Sequence, residues 1–214
     1  MYLIELNEII ENGENDLVEF KRKFTSPEKI AKEMIAFANS KGGKILFGID
    51  DDKSIVGVES EKGELELISA AAKFYCEPEL EYEWEVLLLK GKDIVVVHID
   101  ESKLKPHKLV THEESDESSR VYVRHKDQSI VASKETVKIL KDTNFNAHPL
   151  KVSIGDIEKS LFEYLKANDR ITVKGFKKLA NISERRASRT LVNLVRANVI
   201  RHHFTGKEDF FTLI

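Results

Sequence analysis

The apolar residues of this chain come in short, separated groups. The longest uninterrupted aliphatic stretches are Val86–Leu89 and Ile94–Val97, far short of the roughly 18 consecutive apolar residues of a membrane span. Any core must therefore be assembled from many short amphipathic elements. A length of 214 residues with 41% hydrophobic content suffices for one large domain or two modest ones. The start, MYLIELNEII, lacks the basic flank and small-residue cleavage site of a secretory signal. Cys76 is the single cysteine, so neither an intrachain disulfide nor a cysteine-based zinc site is expected. Its place on an apolar helix face predicts a buried thiol. These features predict a soluble cytoplasmic protein with no membrane partner.

The spacing of those groups alternates between helical and extended periods. Leu3, Leu6, Ile9 and Ile10 predict a short amphipathic helix ended by Asn12-Gly13. Leu17–Lys23 alternates, with Val18 and Phe20 on one face and Glu19 and Lys21 on a polar one. Ser26-Pro27 opens a helix as N-cap and first helical residue, and Gly42-Gly43 ends it. Lys44–Asp50 is nearly all apolar, the pattern of a strand covered on both faces. Leu65, Ile68, Ala72 and Tyr75 mark a second helix, and Lys90-Gly91-Lys92 joins two strands as a hairpin. Arg120–Arg124 reads as a strand, Ser133–Lys141 as a helix, and the polar, acidic Thr111–Ser119 as a loop. The expectation is an α+β fold with a mixed sheet over 1–145, a turn-rich linker at Asn144–Pro149, and a second domain over 151–214.

Charge separates the two parts. Residues 151–214 carry 13 Lys+Arg against 7 Asp+Glu, whereas 1–150 carry 21 against 30. Within Arg170–Lys207 there are ten cations and one acid, Glu184. A basic block on an acidic chain suggests a polyanion-binding module. Its elements read helix (Ile154 to Leu165), helix (Val173–Ala180), a tight break at Asn181-Ile182-Ser183, helix (Glu184–Ala197), then two short strands about Thr205-Gly206-Lys207. That is the order of a winged helix-turn-helix. On the third helix Ala187, Leu191, Leu194 and Val195 form an apolar face. Arg185, Arg189, Asn193 and Arg196 fall opposite, with Arg186 beside them. Arg pairs bidentately with guanine and Asn with adenine in the major groove. Lys174, Lys177 and Lys178, with Arg201 and Lys207 on the wing, suit phosphate contacts that fix register. Adjacent strand residues point to opposite faces, so His202 and His203 are poor partners for one metal ion and are assigned to the wing.

Four segments of the first part carry a recognisable pattern: Glu14–Lys21 (ENDLVEFK), Ile35–Asp51 (IAFANSKGGKILFGIDD), Ile55–Val58 (IVGV) and Tyr122–Ser133 (YVRHKDQSIVAS). Over residues 10–142 they resemble the Schlafen/AlbA-like domain, formerly the divergent AAA domain. Bacterial members often join this domain to a C-terminal winged helix and are described as transcriptional regulators, and this chain resembles those. The resemblance implies nucleic-acid binding. It also implies, by analogy with animal Schlafens, a metal-supported ribonuclease triad, which by motif match would be Glu14, Glu19 and Asp50. Carboxylates suit Mg²⁺ or Mn²⁺, a held ion can activate water, and Lys21 would steady the phosphate. The old AAA label implies ATP, but a P-loop needs Ser or Thr after its Gly-Lys, and Gly42-Gly43-Lys44 is followed by Ile45. The family's Arg-x-Gly turn reads Arg124-His125-Lys126 here, without the glycine. Arg124 is expected either at a phosphate or in a core ion pair, and His107 in a structural role.

The resulting expectation is a DNA-binding transcriptional regulator that engages double-stranded DNA as a homodimer and requires no cofactor. RNA is a possible second ligand. A Mg²⁺- or Mn²⁺-dependent ribonuclease using Glu14, Glu19 and Asp50 is the alternative.

Overall fold

The computed structural model describes residues 1–110, 120–142, 152–206 and 208–214. The acidic loop at 111–119, the linker at 144–149 and Lys207 lie outside the described residues. The chain divides into two compact units, Met1–Val131 and Ala132–Ile214. No helix among the described residues is long and apolar enough to cross a membrane.

The first unit is built on a four-stranded mixed sheet. Strand β1 (Val18–Lys21) runs parallel to β2 (Gly43–Phe47), and helix α2 (Pro27–Asn39) lies between them in sequence. Strands β4 (Glu83–Leu89) and β5 (Lys92–Ile99) form the hairpin the sequence predicts, and β5 pairs antiparallel with β2. The spatial order is β1-β2-β5-β4, which among the described residues leaves β1 and β4 as edges. Successive side chains of a strand alternate between faces, and here both faces are covered. Leu46, Ile94 and Val96 meet Leu6 and Ile10 of helix α1 (Leu3–Asn12). Ile45, Phe47, Val95 and Val97 meet α2 and helix α3 (Glu61–Phe74) through Ile30, Met34, Phe37 and Ile68. Double coverage is why the β2 segment reads as a continuous apolar run.

Local chemistry sets the boundaries. Ser26 Oγ accepts from the Lys29 amide at 3.3 Å and Ser60 Oγ from the Gly63 amide at 3.2 Å, capping α2 and α3. Gly42, at φ +75°, donates to the Phe37 carbonyl at 3.0 Å as the chain leaves α2. A Cβ at Gly43 would stand 2.3 Å from the Phe37 ring, so only glycine lets β2 start there.

Two small pairings complete this unit. Strand β3 (Cys76–Glu77) pairs with β6 (Lys108–Leu109), and β7 (Tyr122–His125) with β8 (Gln128–Val131). Lys126 sits in the β7–β8 turn at φ +57°, so lysine adopts the left-handed conformation where the family pattern has glycine.

In the second unit helix α4 (Lys134–Asp142) contacts α7 (Glu184–Arg196). The sequence reading placed α4 at the end of the first domain. It instead goes with the second unit, where Glu135 and Lys138 both bond to Ser188 of α7. Helices α5 (Asp156–Ala167), α6 (Val173–Leu179) and α7 precede an antiparallel pair, β9 (Ile200–Phe204) and β10 (Asp209–Leu213). Leu161, Phe176, Leu191, Leu194 and Phe211 form their fully buried centre. Thr172 and Ser183 cap α6 and α7 through the Gly175 and Arg186 amides at 3.1 and 3.2 Å.

Candidate nucleic-acid interface and the buried carboxylates

Helix α7 is buried along two adjoining flanks. Ala187, Leu191 and Leu194 enter the core of the second unit, as their spacing predicts, with Val195 half-buried beside them. Ser188 and Val192 are buried as well, at 3% and 4% exposure. Ser188 Oγ donates to Glu135 Oε1 at 2.8 Å and accepts from Lys138 Nζ at 2.8 Å. A serine on the polar side of the sequence pattern gives no sign of this contact. Its partners lie some fifty residues earlier in the chain.

With about 3.6 residues per turn, the remaining arc of α7 carries Arg185, Arg196, Arg189, Asn193 and Arg186. Arg185, Arg186 and Arg189 are exposed, and Asn193 and Arg196 half-exposed. Lys174 and Lys178 of α6 and Arg201 of β9 are exposed too. Lys177 is exposed, but its ammonium stands 3.3 Å from Glu184 Oε2 and so is partly committed within the protein. Arg170, which the sequence reading did not assign, lays its guanidinium over the Phe210 ring at 5.3 Å.

The two histidines diverge as adjacent strand residues must. His202 bonds Asp209 Oδ1 at 2.6 Å and leans on Phe211, while His203 bonds Thr212 Oγ1 at 3.0 Å and stacks on Phe210. Burial pushes the His203 imidazole below the ordinary histidine range, and the nearby His202 and Arg201 push it the same way. These contacts place both rings in cross-strand packing of the hairpin.

The three carboxylates of the first unit are not drawn into one set. Glu19 was expected on a polar face, but it is buried, because β7 and α2 bring Arg124 and Glu33 to the same place. Glu19 accepts from Lys21 Nζ and, at 2.9 Å, from Arg124. Arg124 also donates to Glu33 at 3.2 Å, Ser129 Oγ at 3.1 Å and the Asn15 carbonyl at 2.8 Å, with its guanidinium 4.5 Å from the centre of the Phe37 ring. Its side chain is 1% exposed, and its Nε is buried without a partner. Of the two roles expected for Arg124, the geometry is that of a core ion pair. Glu33 and Ser129 complete this cluster, joined by a short hydrogen bond. Neither is signalled by the sequence, where an acid on a helix and a serine on a short strand look like surface residues.

Glu14 accepts from the Phe20 amide at 2.8 Å, and burial raises its carboxyl above the usual range, with the charge of Glu19 acting in the same direction. Asp50 is held by Arg22 at 2.8 Å and receives the Asp51 amide at 3.1 Å. Among the described residues no three His, Cys, Asp or Glu side chains gather closely enough to hold a metal ion. The carboxylate set that the resemblance implies therefore does not fit Mg²⁺ or Mn²⁺ in this geometry. Lys44, which follows the glycine pair, is turned to Glu5 at 3.1 Å.

His107 has the structural role expected of it. It is buried, and its Nδ1 lies 2.9 Å from the Pro78 carbonyl and its Nε2 2.6 Å from Ser102 Oγ. Burial holds its imidazole below the ordinary range. Cys76 is buried, with its thiol pushed up to about 12, a poor nucleophile.

The chain is similar to an uncharacterized ATP-binding protein of Ureaplasma parvum serovar 3, 32% identical over 121 residues that cover 45% of this chain and 34% of that one. It thus matches about a third of that relative's length. Among solved structures it is similar to a protein of Corynebacterium diphtheriae, with a TM-score of 0.50 at 13% identity, covering 88% of this chain and 36% of that one. It is also similar to the N-terminal domain of a RecG-related protein from Nitrosomonas europaea, with a TM-score of 0.42 at 23% identity, covering 62% of this chain and 92% of that one. The sequence profile of the Schlafen, AlbA_2 family matches residues 14–133. That span includes the Glu19–Arg124 cluster and takes in more than half of the chain, which therefore belongs to the Schlafen, AlbA_2 family.

Proposed function

We propose that this protein is a DNA-binding regulator whose second unit is a winged helix-turn-helix, with α7 as the recognition helix. The observation that carries the reading is the single exposed arc of α7. Two of its flanks are buried, and the one left open bears the exposed Arg185, Arg186 and Arg189, with Asn193 and Arg196 half-exposed among them. A helix that is packed behind and cationic in front matches what a major groove accepts. Lys174, Lys178 and Arg201 flank it as phosphate contacts, with Lys177 released from Glu184 on binding. The β9–β10 hairpin takes the place of the wing, and Lys207, between its strands in sequence, is assigned to the backbone with them.

Double-stranded DNA is the ligand this surface favours, and a homodimer would match paired half-sites. The Schlafen domain would contribute ligand sensing, dimerisation or further nucleic-acid contact. The ribonuclease alternative needs Glu14, Glu19 and Asp50 to share a divalent ion. It gains no support from carboxylates already held by the Phe20 amide, by Lys21 and Arg124, and by Arg22.

The test is anisotropy of a labelled duplex titrated with the full chain, without divalent cations. The wild type and Glu14→Gln, which keeps an acceptor for the Phe20 amide, bind alike. The double variant Arg185→Ala, Arg189→Ala loses at least tenfold in affinity. Undiminished binding by the double variant would sink the assignment of α7. Absence of binding by the wild type would sink the DNA reading itself, and labelled single-stranded RNA would be the next ligand to try.

A further inference from the structure

The sheet edge formed by β4 is unlike the rest of the first unit. Among the described residues β4 pairs only with β5. Trp84 and Val86 face the α3 side, opposite Val97 and Val95 of β5, which belong to the core on that side. Yet Trp84 is 54% exposed. Between α3 and β4 runs a groove of about 630 Å³, lined by Leu65, Tyr82, Trp84 and Val86 and rimmed by Glu61 and Glu66. A second groove shares Tyr82 and Trp84 and adds Glu79 and Glu81. Among the described residues that line the two, Lys62 is the one cation.

An open strand edge invites another strand. The charge decides which kind. A second copy of this chain would bring one acid-rimmed edge against another, and like charges across a strand pair are destabilising. A basic strand meets no such opposition. Its backbone can pair with β4, its alternate side chains can lie in the groove, and the stems of Lys or Arg can cross Trp84 while their charged ends reach the four carboxylates.

We propose that the β4 edge and the α3–β4 groove form a docking site for an extended basic peptide segment, which adds as a further strand beside β4 and lays cationic side chains across Trp84. The site belongs to the first unit, whereas the proposed DNA contact is on α7 of the second.

Trp84 is the only tryptophan of the chain, so its emission reports on the groove directly. The full chain is titrated with a nine-residue peptide alternating Arg and Val, and binding is confirmed by calorimetry. The expected result is a saturable change in emission at one peptide per chain. Glu66→Lys with Glu81→Lys, both exposed and outside the core, weakens binding about tenfold, the scale of two lost surface ion pairs. Methylating alternate backbone nitrogens on the edge-facing side of the peptide abolishes it. Equal binding by spermine, by a Glu-Val peptide or by the N-methylated peptide would overturn strand addition. Unchanged affinity in the folded double variant would overturn the acidic rim as the determinant.

Discussion

At the scale of single residues, the first unit turns on Arg124. One guanidinium reaches two carboxylates, a hydroxyl and a backbone carbonyl while lying on an aromatic ring. Removing it leaves Glu33 without its cation and Glu19 with Lys21 alone. Breaking a buried pair in this way costs about 3–5 kcal/mol, so Arg124→Ala should lower the urea midpoint of the first unit sharply. Arg124→Lys should restore only part of the loss, because an ammonium cannot span the same acceptors. A loss below about 1 kcal/mol would show that the cluster is not structural. His107 makes a different prediction. Its folded-state pKa is lowered by burial, so the folded state binds fewer protons than the unfolded chain. Its contribution is complete above the unfolded value of about 6.5 and is lost as pH falls from there toward the lowered folded value. Denaturation midpoints should drop between pH 7 and 5, with His203 adding in the same sense. His107→Asn should flatten that drop. An unchanged slope would locate the pH dependence elsewhere. Sequence spacing reveals little of this, since Glu19 alternates with Val18 and Phe20 as a surface residue would. Only the arrival of β7 from a hundred residues away buries it.

At the scale of elements, those with strong local signals were legible. The Ser26-Pro27 and Ser183 starts, the glycine stop after α2 and the β4–β5 hairpin all follow from capping and turn chemistry that neighbours in the sequence supply. In that hairpin Lys90 and Gly91 both take positive φ, as a two-residue turn requires. Strands β3, β6 and β8 were not legible. Two to four residues carry too little periodicity, and each strand is defined by its partner. The same limit applies to α7. Its cationic arc and one apolar flank can be read from spacing, while the packing at Ser188 depends on α4, whose Glu135 and Lys138 bond to it. That packing sharpens the functional reading, since it narrows the open surface of α7 to the side bearing the arginines.

At the scale of the molecule, charge divides with the two units. Residues 1–131 hold 18 cations to 28 acids, and residues 132–214 hold 16 to 9. The near-neutral total conceals this division, and composition alone would not suggest a polyanion ligand. The sequence did show the asymmetry, though it assigned Lys134, Lys138 and Lys141 of α4 to the acidic part. If the second unit binds DNA as proposed, it does so largely by releasing counterions, so affinity should fall steeply with salt, with a log–log slope of about 0.9 per phosphate contacted. In the proposed reading Lys174 and Lys178 contact phosphates and not bases. Converting both to Gln should weaken every duplex to a similar degree and reduce the slope by about two contacts' worth. Arg189→Gln should instead weaken some sequences more than others. If Lys174→Gln with Lys178→Gln left the slope unchanged while affinity still fell, α6 would not lie along the backbone, and the orientation of α7 in the groove would have to be reversed.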